Sequence, residues 1–478
     1  MRASARSPIV VAAEVLLCAL LHGAFALSFS ASVLAAQIDS REPGPAKPHT
    51  VYTWTSAADL RYTWCVPEGY DGNDPRDLTV ILHGTGLDYR WGHANHRPSV
   101  FRPNDIVVSV DGTSPGPNGS RLFLGKSADA AAFKVFLDEM HERFAVRHVY
   151  LYGHSQGGFF VTYYAGAYPD SVRGVVAHAS GAWGHASTGK SVRSVAIAFL
   201  HGTADPVVTY RNSVGARAAY VERGFPKVHL RRIIGYNHWP NEVRADEALA
   251  WCVGMTTDDP EEALAAAIDL LRPKPADSVR YQTVASFSGA RDVLRRLEGE
   301  GPDPFRSLEE ELGERVERLI DAIEEEGERH VRALGKHVKK SSDLKLDGDP
   351  WPGHLVSLRE DFRGVESVED YVKSIGFDRA LAEHTKAVRK MFEIAYARGA
   401  DPEEALRAIA EGLRGGFLYE GMRGGLAKQV ETWSESVRSK RVKSSASRAV
   451  EAWDRGWKGG FESYERIWKN WKLPRGYR

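Results

Sequence analysis

The run Val149-Tyr150-Leu151-Tyr152-Gly153-His154-Ser155-Gln156-Gly157-Gly158 constrains this chain more than any other. Four apolar residues lead into Gly-His-Ser-Gln-Gly, and a helical pattern then runs to about residue 167, closed by Tyr168-Pro169-Asp170. G-x-S-x-G in that setting predicts a strand that turns sharply into a helix with the serine at the apex. Gly153 and Gly157 belong there for a steric reason: backbone that folds back beside Ser155 leaves little room for a Cβ. The turn presents the Ser155 hydroxyl and sets the Gln156 N–H at a helix start. Five residues of this form arise often by chance. The reading therefore turns on whether an acid, a base and a second N–H donor follow at the right places.

The surrounding pattern supplies the places. Leu78-Thr79-Val80-Ile81-Leu82 and Ile106-Val107-Val108-Ser109-Val110 are short apolar runs, as buried parallel strands are. The first ends in His83-Gly84-Thr85-Gly86 and the second in Asp111-Gly112. Val172 to Ala177, Val195 to Leu200 and Val228 to Ile234 read as further strands. Helical spacing is expected over 128–144, where Phe133, Phe136, Leu137, Met140 and Phe144 share a face, and again near 211–223, 245–253 and 260–271. Upstream, Val51 to Trp54 and Tyr62 to Val66 are β-branched and aromatic. Strands alternating with helices predict a doubly wound, mostly parallel sheet covered on both faces. Such sheets bind ligands at the carboxyl ends of their strands. His83, Ser155, Asp205 and His238 each follow one.

Chemistry requires the same residues. A serine hydroxyl needs a base to take its proton, and His238, in Gly235-Tyr236-Asn237-His238-Trp239-Pro240, follows the last strand. Asp205, in His201-Gly202-Thr203-Ala204-Asp205-Pro206-Val207-Val208, would hold that imidazole in one tautomer and stabilise its charged form. The oxyanion of a tetrahedral intermediate would be bound by backbone N–H groups of Gln156 and of Thr85 or Gly86. The chain order Ser155, Asp205, His238 is that of the α/β-hydrolases.

The stretch from about 51 to 272 resembles the secreted α/β-hydrolase esterases of the polyhydroxybutyrate depolymerase and feruloyl/acetylxylan esterase group. Gly-His-Ser-Gln-Gly-Gly at 153–158 and His-Gly-Thr-Ala-Asp-Pro-Val-Val at 201–208 look like that group's nucleophile and acid blocks. The resemblance implies an α/β-hydrolase fold, a Ser155–Asp205–His238 triad and ester hydrolysis, with no metal or organic cofactor. It covers a little under half the chain. The base block departs from the group's form, since Asn237-His238-Trp239 stands where Thr-His-Ala/Ser-Trp-Pro is familiar. The substrate class is open on that account.

Competing readings weigh differently at each residue. Asp205 before Pro206 is also a good turn or cap residue. His201 and His229 are rival bases, but neither sits in a loop after the last strand. His93 and His96 lack a third ligand at metal spacing, so a loop flanking the pocket is the expectation. His154 is expected to pack. Trp91, Trp183 and Trp239 are candidates for an acyl or aryl pocket, ordinary packing being as good a reading. A serine peptidase of the prolyl-oligopeptidase type shares such a core, but nothing here reads as its β-propeller. Thioesterases and lipases use the same triad. A reading of another class is an envelope-associated binding or scaffold protein acting through its C-terminal half, which an intact Ser155, Asp205 and His238 argues against.

The 478 residues exceed one ordinary domain. Charges balance, at 63 Lys+Arg against 63 Asp+Glu, so no global pull toward nucleic acid or membrane exists. Residues 1–36 carry arginines and then an apolar, Ala-rich run, which predicts a signal peptide and an exported protein (periplasmic, secreted or envelope-associated). An uncleaved anchor is the alternative. Residues 37–50 read as a Pro-rich linker and 51–274 as the catalytic domain. Cys65 and Cys252 would remain after cleavage, either paired or as buried thiols.

Residues 276–478 are expected to form a separate α-helical domain. Residues 298–328 carry 13 Asp/Glu against 3 Arg, with Leu312, Val316, Leu319, Ile320 and Ile323 at helical spacing. Asp401-Pro402-Glu403-Glu404 reads as a helix start. From 421 to 478 there are 14 Lys/Arg and 6 Asp/Glu, interleaved with Trp433, Trp453, Trp457, Trp468 and Trp471. That composition suits an anionic polymer or the cell envelope, or else a helical face packed on the acidic helix; nucleic acid is not expected. Oligomeric state is not legible. Since the triad lies upstream, a chain ending near 275 is expected to keep small-ester turnover.

Overall fold

Alternation of side chains along a strand divides the central sheet between two cores. The computed structural model describes residues 46–183, 190–203, 205–233, 236–273, 285–340, 351–395, 397, 399–413, 423–452 and 471–477. The segments expected to be a signal peptide and linker fall wholly or mostly outside these residues, as do Cys18, Trp453, Trp457 and Trp468. Among the described residues no helix is long and apolar enough to cross a membrane.

Eight strands form the main sheet: β1 (Tyr52–Thr55), β2 (Arg61–Cys65), β3 (Arg76–Leu82), β4 (Ile106–Val110), β7 (Val146–His154), β8 (Gly174–His178), β9 (Ala196–Gly202) and β10 (Val228–Ile233). Their spatial order is β1-β2-β4-β3-β7-β8-β9-β10. β2 runs antiparallel to both β1 and β4, and every other neighbouring pair is parallel. A two-residue pairing of β5 (Ser114–Pro115) with β6 (Arg121–Leu122) stands outside the sheet and had no sequence signal. The class is the expected one, an α/β-hydrolase sheet followed by a helical region.

Among the described residues, the α-helices that accompany the sheet are α1 (Trp91–Asn95), α2 (Ser127–Arg143), α3 (Gln156–Ala167), α4 (Arg211–Glu222), α5 (Glu242–Thr256) and α6 (Pro260–Leu271). Both faces are covered, which is why β4, β8 and β9 are buried along their whole length and are apolar nearly throughout. On one face Val80, Val108, Leu151, Val175 and Phe199 pack with Phe133, Phe136, Phe160 and Tyr220. On the other, Ile81, Tyr152, Val176 and Leu200 meet Leu249 and Leu264.

That second core does not stop at residue 275. It continues through α7 (Phe287–Leu297), α8 (Glu310–Leu334), α9 (Trp351–Asp361), α10 (Glu366–Ser374), α11 (Phe377–Ala395), α12 (Pro402–Gly412) and α13 (Arg423–Ser436). Leu312, Val316, Leu319 and Ile323 are the buried stripe of α8, as their spacing predicts. Asp259 and Asp401 cap α6 and α12 through side-chain oxygens, each followed by Pro at the first position. Trp471 returns to the sheet side: its indole donates to the Leu271 carbonyl at 3.0 Å and its ring meets Phe287 edge-on.

Strand β10 explains why the helices dock. Its sequence, Val228-His229-Leu230-Arg231-Arg232-Ile233, is too polar for an uncovered sheet edge to bury. His229 Nδ1 lies 3.4 Å from Asp292 of α7, Arg231 pairs with Glu247 of α5 at 2.7 Å, and Arg232 pairs with Glu360 of α9 at 2.9 Å. The helical region thus supplies partners to the strand that leads into the His238 loop.

Candidate active site

Ser155 sits between β7 and α3 with φ 52° and ψ −115°, a left-handed conformation that a non-glycine residue holds only under constraint. The constraint is visible on both sides. Ser155 N–H donates to the His178 carbonyl of β8 at 2.9 Å, and Gly157 N–H to the His83 carbonyl at the end of β3 at 3.1 Å. A Cβ on Gly153 would stand 2.3 Å from the Gly157 oxygen, and one on Gly157 would stand 2.4 Å from the Leu82 oxygen. Neither position admits a side chain. The elbow geometry predicted from the motif is therefore present.

The His83–Gly86 loop lies against the serine. A Cβ on Gly84 would come within 3.1 Å of Ser155 Cβ. His83 anchors this loop from below. Its Nδ1 donates to the Gly84 carbonyl at 2.8 Å, while Nε2 accepts from Gly112 N–H at 3.2 Å, which fixes a neutral tautomer. Burial holds its pKa below the ordinary histidine value, against the opposing pull of the Gly84 carbonyl and Asp111. Thr85 and Gly86 are exposed beyond it, Gly86 at φ 78°. Gln156 opens α3, and its buried side chain accepts from Phe123 N–H at 3.3 Å.

Asp205 and His238 come together from separate loops, after β9 and β10. His238 Nδ1 donates to Asp205 Oδ2 at 2.7 Å. The other carboxylate oxygen, Oδ1, accepts from Val207 N–H at 2.8 Å and Val208 N–H at 2.9 Å. Burial pushes the Asp205 carboxyl up, but donation from His201 and His238 outweighs it and holds the group well below the usual carboxylate range. With Nδ1 donating to Asp205, a neutral His238 keeps a lone pair on Nε2. Gly202 lets the two loops approach, since a Cβ there would meet the Tyr236 oxygen at 2.3 Å. Asn237 turns the chain by accepting from Trp239 N–H at 3.0 Å.

The link from the His238 loop to Ser155 runs through His154. Its Nε2 donates to the His238 carbonyl at 2.8 Å, and the two rings lie 4.9 Å apart. His154 is adjacent to Ser155 in the chain, so this bond seats the His238 loop on the elbow. Among the described hydrogen bonds none joins Ser155 Oγ to His238; such contacts tighten when substrate enters. Sequence reasoning expected His154 only to pack. Its position beside the serine was the one signal available.

The three tryptophans separate. Trp91 is buried beneath the elbow, 5.0 Å from the His154 ring, so it supports the site and does not wall a pocket. Trp183 is half-buried and stacked on Phe159 at 5.4 Å, one turn after Ser155. Trp239 is 55% exposed and parallel to His154 at 6.3 Å. His93 and His96 have local partners: His93 meets Thr63 Oγ1 at 2.7 Å and Cys65 Sγ at 3.5 Å, and His96 Nδ1 donates to the Gly92 carbonyl at 3.0 Å. Cys65 and Cys252 are free and buried, and burial pushes the Cys65 thiol up to about 12.

A cavity of about 500 Å³ lies at the opposite ends of the strands, lined by residues such as Arg147, His148 and Arg173. Arg147 is paired with Asp77 at 2.9 Å, and Lys134 with Asp138, so these two cations of the cleft have acidic partners, away from the serine.

A family model agrees with this architecture. The model of a family described as alpha/beta hydrolase fold matches residues 111–193, which hold the elbow but neither Asp205 nor His238. No curated protein matches the chain. Among solved structures the chain is similar to a carboxylesterase from Mesorhizobium loti, at 21% identity over 41% of this chain and 94% of that one, TM-score 0.33. It is similar to the Bacillus cereus carboxylesterase at 16% identity over 42% and 96%, TM-score 0.35. A feruloyl esterase module from Clostridium thermocellum, complexed with sinapinate, gives 16% over 43% and 87%, TM-score 0.33. Likeness at this level says nothing of substrate. Strand order and the matched family model give the chain an α/β-hydrolase fold.

Proposed function

We propose that the protein is an exported serine hydrolase that cleaves carboxylic esters through an acyl-enzyme, with Ser155 as nucleophile, His238 as base and Asp205 as the orienting acid. The observation that carries this reading is the 2.7 Å bond from His238 Nδ1 to Asp205, in a loop tied at 2.8 Å to the residue before Ser155. His238 Nε2 takes the Ser155 proton as Oγ adds to the ester carbonyl. The oxyanion is bound by Gln156 N–H and by an N–H of Thr85 or Gly86. The tetrahedral intermediate collapses, His238 protonates the departing alcohol, and water then repeats the sequence to release the acid. Export rests on the composition of residues 1–36. Trp183 and Trp239 would flank the acyl or alcohol group.

The test is hydrolysis of p-nitrophenyl acetate and butyrate by wild type and Ser155→Ala. Turnover in the wild type that the variant loses supports the reading. Equal turnover in both rejects it.

A further inference from the structure

The carboxylate of Asp205 holds two imidazoles on one oxygen. His238 Nδ1 reaches Oδ2 at 2.7 Å, and His201 Nε2, at the end of β9, reaches the same oxygen at 3.2 Å. His201 is wholly buried, and so is Asp205. Its Nε2 also lies 2.8 Å from the Val208 carbonyl. Both partners only accept, so this nitrogen carries a proton. On the other side, Nδ1 lies 2.7 Å from Ser213 Oγ, which in turn lies 2.8 Å from the Ser180 carbonyl.

A hydroxyl has one proton to give. If Ser213 gives it to the Ser180 carbonyl, Nδ1 must bring its own and His201 is an imidazolium. If Ser213 gives it to Nδ1, His201 is neutral. Either state leaves Nε2–H shared between Asp205 and the Val208 carbonyl. Donation to Oδ2 draws charge from the oxygen that His238 uses, and it pins the carboxylate plane that two backbone N–H groups hold from the Oδ1 side. Other titratable groups facing the pair are His178 at the end of β8, His154 of β7, and Tyr210, whose ring stands edge-on to His201 at 5.9 Å.

We propose that His201 is a positioning residue for the acid, a second imidazole on Asp205 Oδ2 that fixes its orientation and moderates its pull on His238. The inference rests on the assignment of Asp205 and His238 above. Removing His201 has one sign in both proton states. Oδ2 becomes a stronger acceptor for His238, and any repulsion between two cationic rings disappears. Imidazolium at His238 is then easier to form, so the acid limb of the rate profile moves to higher pH.

His201→Leu and His201→Gln separate orientation from bulk, since glutamine keeps an N–H at the Nε2 end. In His201→Leu, kcat for p-nitrophenyl acetate should fall about 10²-fold. KM should change little, and the acid limb should rise by about half a unit or more. His201→Gln should recover most of both. Equal kcat losses in both variants with an unmoved limb would mean packing alone, and wild-type kcat in His201→Leu would remove the role altogether. If His201→Leu does not fold, Ser213→Ala reads the same network from its far end. It should shift the limb with a loss of a few-fold, and an unchanged limb overturns the proposal. Failure of the general reading is told apart by Ser155→Ala, which must be inactive for these results to bear on His201.

Discussion

His154 Nε2 donates to the main-chain carbonyl of His238 at 2.8 Å, so the residue before Ser155 holds the His238 loop. Burial keeps the His154 ring neutral, far below the ordinary histidine value. Its proton therefore stays on the nitrogen that faces the carbonyl. His154→Leu removes the donor and leaves that buried carbonyl unsatisfied. We expect kcat to drop about 10²-fold from misplacement of His238, with a stability loss of about 1–3 kcal/mol. His154→Gln, which keeps a donor at comparable reach, should retain more of both. Ester kinetics and thermal melts of the two variants check this, and identical behaviour of Leu and Gln would show that the bond has no catalytic consequence.

The sequence made the sheet legible because buried parallel strands are apolar runs whatever packs on them. The predicted 106–110 and 260–271 spans match β4 and α6, and Ser155, Asp205 and His238 fall where the strand ends put them. His154 and His201 were underread for a physical reason. Their roles depend on which buried acceptors face each ring nitrogen, and a linear pattern contains no such information. The polar strand β10 shows the same limit. Arg231 and Arg232 make sense only when Glu247 and Glu360 arrive from helices beyond them in the chain. Trp91 is as good a candidate for ordinary packing as for a pocket wall in the sequence, and its ring lies against His154.

Asp205→Asn tests the acid directly. The wild-type carboxylate accepts from His201, His238, Val207 N–H and Val208 N–H. An amide has one accepting oxygen. Turned to satisfy the two backbone donors, it presents its NH₂ to His238 and favours the tautomer with the proton on Nε2, which cannot act as base. A loss in kcat of about 10⁴-fold is expected, with little change in KM. A loss below tenfold would mean that His238 takes its orientation from elsewhere.

Removal of the helical region should unfold the hydrolase unit, contrary to the expectation that a chain ending near 275 keeps its activity. Such a chain loses Ala285, Asp292, Ser357 and Glu360, which meet the side chains of β10, and exposes the face of α5 and α6 that α7 covers. A milder form of the same test is Trp471→Ala. It deletes a ring packed on Phe287 and a donor to the Leu271 carbonyl, and should cost about 3–5 kcal/mol. A soluble, cooperatively melting 46–275 fragment with wild-type turnover would show that the helices are an appendage after all.

Acid should destabilise the fold through its buried histidines before it reaches the carboxylates. Desolvation lowers the pKa of His83, takes that of His96 down to about 4, and puts those of His154 and His178 well below the ordinary value. In the unfolded chain these rings protonate near pH 6.5. Below that pH the unfolded state binds protons that the folded state refuses, so stability falls as pH falls. Each such histidine contributes a slope approaching 1.4 kcal/mol per pH unit. Asp205 is also shifted down, which in a carboxylate favours the charged form, and the consequence is the same in a lower window. Its depressed pKa adds stability above about pH 4, where the unfolded carboxylate is ionised, and loses it as pH drops toward the folded value. Denaturant unfolding followed from pH 7.5 to 5 should therefore show a steady loss beginning near 6.5, ahead of any carboxylate effect. His154→Gln should flatten that slope by one histidine's share. Stability that is level across this range, or a slope untouched by the substitution, would contradict the assignment of these rings as buried and neutral.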